Sequence, residues 1–179
     1  MKFISFLHNN EEKFGILNNQ TVTDLTGKIS NSNSLKDLIK KNAIGDAKKY
    51  ANNNPGKIKL DDIQYLPLIP NPGKIICVGL NYSEHVKETN RTIEENPVIF
   101  HRFPESQTAH MQNIQRPIAS HSLDFEGEMA VIMGEGGKHI KPENALKHIV
   151  GYSCYNESTI REWQRHTRQF GMGKNFEKT

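Results

Sequence analysis

A chain of 179 residues is long enough for one ordinary domain, or for a small domain followed by part of another. Lys and Arg number 23 against 20 Asp and Glu, so the formal charge of +3 and the pI near 8.8 describe a slight excess of base that does not imply nucleic acid. No run approaches the roughly 18 apolar residues of a membrane span, and Met1–Leu7 lacks the apolar centre of a secretory signal, so a cytoplasmic protein without a membrane partner is expected.

The first segments read as short strands: Lys2–Leu7, Phe14–Leu17 and Thr21–Asp24, separated by the polar pairs Asn9-Asn10 and Asn18-Asn19. Ser34 is placed to cap a helix over Leu35–Lys41, with Leu35, Leu38 and Ile39 on one face. Asn52–Gly56 breaks the chain. Pro67, Pro70 and Pro72 make Leu66–Gly73 an extended linker, which sets a boundary between a segment 1–70 and a segment 71–179.

Beyond the linker, Lys74–Gly79 reads as a strand buried on both faces, with Cys77 packed inside. Neither Cys77 nor Cys154 has the neighbours of a reactive thiol, and two cysteines make neither a disulfide framework nor a zinc pattern. Asn81–Glu88 is expected as a loop or short helix, Pro97–Arg102 as a strand, and Leu123–Gly134 as one longer strand. Pro142–Ile149 reads as a short helix, Val150–Tyr155 as a strand, and Ser158–Arg168 has helical composition.

Chemistry concentrates in three places. In Asp124-Phe125-Glu126-Gly127-Glu128, residues i and i+2 of a strand share a face, so Glu126 and Glu128 would project together and repel unless a cation or proton lies between them. A bare E-x-E is more often a solvated face, but here it runs into Met129–Met133, an apolar run expected to be buried, and that favours a functional pair. A hard cation needs further oxygen ligands, and Glu157 is the natural third carboxylate, although it would equally suit a helix N-terminus. His85 and Glu88, three apart, suit a histidine polarised by a carboxylate to activate water. Taken alone, such a pair is more often an inert surface contact. Arg161–Gln164 and Gly173-Lys174-Asn175-Phe176 form the third feature. Lys174 has no phosphate-loop context and reads as a clamp for a carboxylate or enolate.

The ordered series Gly79-Leu80-Asn81-Tyr82 with His85, Asp124–Glu128, Gly151-Tyr152 with Asn156, Arg161 and Gln164, and Gly173–Phe176 resembles the fumarylacetoacetate hydrolase family over essentially the whole chain. The resemblance implies an α+β, mostly β protein: a small β-rich domain over residues 1–70, then a fumarylacetoacetase-like catalytic domain, a rolled mixed sheet, over 71–179. It implies Mg²⁺, Mn²⁺ or Ca²⁺ held by Glu126, Glu128 and Glu157, a water-activating dyad of His85 and Glu88, Lys174 as a stabiliser of developing negative charge, and substrate contacts from Arg161 and Gln164. The implied activity is cleavage of a carbon–carbon bond in a small 2-oxo acid or 1,3-dicarbonyl compound by a hydrolase or decarboxylase, as in the catabolism of aromatic compounds; a tautomerase would use the same metal platform, and family members often form homodimers.

The sequence departs from the family pattern at position 157, where Glu stands for the usual Asp, and at Thr179, beyond which family members continue. The chain is therefore expected to carry a catalytic domain incomplete at its C-terminus. A truncated inactive relative or interaction protein is the alternative reading, and a nucleic-acid module, resting only on the Arg-rich tail, comes third.

Overall fold

The computed structural model describes residues 1–84 and 95–179. The protein is mostly strand with short helices, and every strand pairing among the described residues is antiparallel. It falls into two compact units that interleave along the chain: Met1–Asn71 with Thr108–Asn113 and Gly127–Asn156, and Pro72–Gln107 with Ile114–Glu126 and Glu157–Thr179. Among the described residues no helix is long and apolar enough to cross a membrane.

The first unit is built on β1 (Lys2–His8), β2 (Glu11–Asn18), β3 (Thr21–Asp24), β4 (Ile58–Lys59) and β5 (Gln64–Tyr65), in the order β4-β3-β2-β1-β5. Asn9 and Asn10 turn the first hairpin at φ 52° and 62°, the left-handed conformation that a two-residue turn matching strand twist requires and that asparagine tolerates. Gly15 is needed for contact: a Cβ there would lie 2.3 Å from the Thr23 carbonyl oxygen. Helix α1 (Leu35–Lys40) starts as expected, with the Ser34 hydroxyl accepting from the Asp37 amide at 3.1 Å. Helix α2 (Ile44–Asn53) has no counterpart in the sequence reading, because Ala43 offers no capping side chain and its fully buried residues are the small Ala47 and Ala51, with Ile44 and Tyr50 only partly buried against the core. Both helices contribute to an apolar core with Phe14, Ile16, Leu25 and Leu38.

The expected single strand over Leu123–Gly134 is two. β8 (Leu123–Asp124) belongs to the second unit and β9 (Gly127–Met133) to the first, where it pairs with β10 (Ile149–Asn156). Glu126 lies in the break between them, so the shared-strand argument for Glu126 and Glu128 does not hold. Nor is the run after Glu128 buried. β9 and β10 alternate strictly between half-buried and exposed residues, and Met129 is 62% exposed, with Val131 and Met133 beside it on the open face.

In the second unit β6 (Ile75–Gly79) pairs with β7 (Val98–Arg102), with no third strand among the described residues, and one face of this ladder, carrying Ile76, Val78 and Ile99, is exposed. Ile76 is 55% exposed and Cys77 only half-buried, against the expectation of a strand buried on both sides. On the other face Phe100 and Arg102 are buried, and Phe100 meets Phe170 edge-on at 5.7 Å. β8 pairs with β11 (Thr159–Ile160). The helical composition from Ser158 yields only one turn, Arg161–Gln164, because the β-branched Thr159 and Ile160 are drawn into that ladder.

Candidate functional site

The second unit buries charge. Arg102, Glu157 and Lys174 are each 5% exposed or less, and all three belong to one cluster with Glu126, Asp124 and Arg161. Three carboxylates thus meet three cations, which satisfies the requirement that buried charges be paired.

The β8–β11 ladder and its continuation fix the carboxylates. The Glu157 amide donates to the Glu126 carbonyl at 2.8 Å, and the Thr159 hydroxyl donates to Glu126 Oε1. Arg161, at the start of the one-turn helix, sets its Nε on Asp124 Oδ2 at 2.8 Å and its Nη1 on Glu126 Oε1 at 3.1 Å and on Gln164 Oε1 at 3.0 Å.

Lys174 arrives from the short helical turn Phe170–Gly173. Gly173 makes the approach possible, since a Cβ there would come within 2.5 Å of the Gln164 nitrogen and the Ile160 oxygen. Asn175 pins the segment to β7, donating to the His101 carbonyl at 3.1 Å and accepting from the Phe103 amide at 2.7 Å. The Lys174 ammonium then reaches Glu126 Oε1 at 2.9 Å and Glu157 Oε2, with the Phe100 ring 5.0 Å from it.

The two carboxylates differ in environment. Burial pushes Glu126 upward, but hydrogen bonds from Lys174 and Thr159 and the charges of Lys174 and Arg161 outweigh it and hold the carboxyl below its usual range. At Glu157 burial wins, and the carboxyl is pushed above that range despite Lys174 and Arg102.

Of the residues singled out from sequence, Glu126, Glu157, Lys174, Arg161 and Gln164 come together in this unit. Glu128 lies in the first unit, on β9 opposite Tyr155, and His85 and Glu88 fall outside the described residues. Three residues were given no role in the sequence reading: Asp124, although it stands in the quoted motif, Thr159 and Arg102. Thr159 gives no signal of its own. Arg102 does, because it holds a core-facing position two residues after Phe100 on an alternating strand.

Among the described residues, no three His, Cys, Asp or Glu side chains form a group that would hold a metal ion. Glu126 and Glu157 nevertheless fit a hard divalent cation in donor chemistry, since both offer carboxylate oxygens to a single positive point, now the Lys174 ammonium.

Comparison with known proteins gives a consistent result. The family model described as "Fumarylacetoacetate (FAA) hydrolase C-terminal" matches residues 74–179. The chain is 36% identical over 137 residues to the mitochondrial oxaloacetate tautomerase fahd2 of Xenopus laevis, covering 75% of this chain and 43% of that one. It is 35% identical over 118 residues to the mitochondrial oxaloacetate tautomerase FAHD2A of Homo sapiens, covering 65% and 38%. Among solved structures, the fumarylacetoacetate hydrolase of Exiguobacterium antarcticum superposes with a TM-score of 0.81 at 30% identity, over 99% of this chain and 62% of that one. A 5-carboxymethyl-2-hydroxymuconate delta-isomerase from Mycobacterium smegmatis gives 0.73 at 22% identity over 99% and 63%, a likeness of fold. The chain spans less than half the length of these curated relatives and under two thirds of the solved chains.

Proposed function

The chain belongs to the fumarylacetoacetate hydrolase family, and from that premise we propose that its chemistry is divalent-metal-dependent cleavage of a carbon–carbon bond in a small 2-oxo acid or 1,3-dicarbonyl compound. One observation supports this above the others: the Lys174 ammonium, buried and shared between Glu126 and Glu157. A fixed cation in a site shielded from water stabilises negative charge far more than one in solvent, and negative charge develops on a carbonyl oxygen when an adjacent carbon–carbon bond breaks.

A Mg²⁺, Mn²⁺ or Ca²⁺ ion held by Glu126 and Glu157 would supply Lewis-acid polarisation of that carbonyl. Lys174 Nζ donates a hydrogen bond to the developing oxyanion. Arg161, already oriented by Asp124 and Gln164, holds the substrate carboxylate, and Gln164 supports it. By the family pattern His85, paired with Glu88, would take a proton from water as its oxygen bonds to the carbonyl carbon; the carbon–carbon bond then breaks, its electron pair passes to the enolate oxygen, and the proton returns to the leaving carbon.

A second reading keeps the substrate contacts and the stabilised oxyanion but reaches that oxyanion by loss of a proton from carbon, with no attack by water. The curated relatives from Xenopus laevis and Homo sapiens are oxaloacetate tautomerases, which favours keto–enol interconversion, with the proton moved and no bond between carbons broken. The test is to offer the protein acylpyruvates and the enol of oxaloacetate with Mg²⁺ or Mn²⁺, and to repeat it with Lys174→Met. Release of pyruvate that needs metal and Lys174 supports cleavage. Loss of the enol's absorbance without new products supports tautomerisation. A folded protein inert toward both substrates overturns the enzymatic reading.

A further inference from the structure

We propose that Arg102 is a positioning residue: it locks one oxygen of Glu157 so that the other is presented to Lys174. The inference rests on the reading of Glu157 as a carboxylate of the site and extends it to a residue that neither the motif nor the comparisons assign.

The arrangement starts in β7. Ile99 and His101 face outward, so alternation turns Phe100 and Arg102 inward, and the Arg102 side chain is wholly removed from solvent. A buried guanidinium must find acceptors for five N–H groups held in a rigid planar fork. Arg102 finds four acceptors. Nε donates to the Ser106 hydroxyl at 3.1 Å, Nη1 to Glu157 Oε1 and to the Ser158 carbonyl at 2.9 Å each, and Nη2 to the Thr179 carbonyl.

Two of these acceptors are backbone oxygens, and the third, Ser106, is itself tied to the backbone, donating to the Phe103 carbonyl at 2.8 Å. They fix the plane of the guanidinium before Glu157 is considered. The remaining contact, to Oε1, sets the rotation of a carboxylate that would otherwise turn about three side-chain torsions. Oε2 is left on the side where Lys174 lies. A lysine at position 102 would keep the charge, but as a point donor on a flexible stem it could not span the same acceptors. The longer Glu at position 157 thus touches two buried cations at once, one at each oxygen.

The test uses the whole chain, ¹⁵N-labelled and free of metal, and follows the Lys174 ammonium resonance, assigned through Lys174→Met. In Arg102→Met that resonance is expected to shift or broaden, and Arg102→Lys is expected to restore part of the change. Calorimetric titration with Mn²⁺ gives a second readout: at least tenfold weaker binding in Arg102→Met, about threefold in Arg102→Lys, and less than twofold further loss when Arg102→Met is added to Glu157→Gln. A merely structural arginine would lower the melting temperature without this dependence on Glu157. The proposal is overturned if folded Arg102→Met leaves the Lys174 resonance unchanged, or if it weakens Mn²⁺ equally with and without Glu157. Where Arg102→Met does not fold, Arg102→Lys decides by the same readouts. If the parent protein binds no Mn²⁺, the metal reading fails on its own, and the Lys174 resonance still decides the role of Arg102.

Discussion

The two units are stabilised by opposite means. Around α1 and α2 the buried residues are Phe14, Ile16, Leu25, Leu38 and small alanines, and stability comes from removing apolar surface from water. In the second unit the buried side chains include Arg102, Glu157, Thr159 and Lys174, and stability depends on each polar atom finding a partner. An apolar core tolerates substitution if volume is kept. A charged cluster fails when one member is removed, because the partners left behind are buried and unpaired.

The largest expected effect follows from this contrast. Lys174→Met strips the shared cation from Glu126 and Glu157 and should cost about 3–5 kcal/mol, the usual cost of breaking a buried ion pair from one side. A urea unfolding midpoint lowered at constant slope would show it. Leu38→Ala, in the apolar unit, should cost about 3 kcal/mol through lost burial and the cavity left behind. The two should differ in their dependence on pH: the Leu38 loss stays the same across pH, while the Lys174 loss shrinks in acid as the carboxylates protonate. If both losses run parallel in pH, the contrast between the units is wrong.

Within the cluster the two glutamates can be set against each other. Glu126 sits below its usual range, so its contribution to stability is present above the unfolded value and is lost as pH falls through the folded one. Glu157 sits above its usual range, so its contribution is present below the unfolded value and is lost as pH rises through the folded one. Relative to the parent, Glu126→Gln should therefore become more destabilising as pH rises through the acid range up to about 4.5, and Glu157→Gln less destabilising as pH rises above about 4.5. Thermal melts of the two variants, each followed through its own window, should give slopes of opposite sign.

What could be read from the sequence follows the same division. The N-terminal hairpins and α1 were legible because their signals are local: the Asn9-Asn10 turn and the Ser34 cap act within a few residues. Helix α2 was not, since alanines carry no pattern and nothing caps it. In the candidate site, Glu126, Arg161, Gln164 and Lys174 were marked by the order of the family motif and Glu157 as the natural third carboxylate, while Arg102 was passed over because no motif names it. Its contacts join positions 55 and 77 residues away, which no local pattern encodes. Ser34→Ala probes the local kind of information and should cost about 1 kcal/mol through the lost cap, measurable as a small drop in melting temperature.

The smallest effect tests where sequence reasoning misjudged burial. Met129–Met133 looked like a core run because four of its five residues are large and apolar, yet that composition cannot distinguish a strand covered on both faces from one covered on a single face. The structure answers by alternation: Ala130 and Ile132 are half-buried, while Met129, Val131 and Met133 face outward opposite Cys154, Tyr152 and Ile149 of β10. Met129 keeps most of its surface in the folded chain, and the stem of a lysine can cover what the methionine covers, so Met129→Lys should change unfolding free energy by less than about 0.5 kcal/mol. Placing Lys at half-buried Ile132 should cost several times more, since an ammonium would lose water without gaining a partner. Equal losses at the two positions would mean that the outward face of β9 is covered in solution, and the distinction drawn here between its two sides would fall.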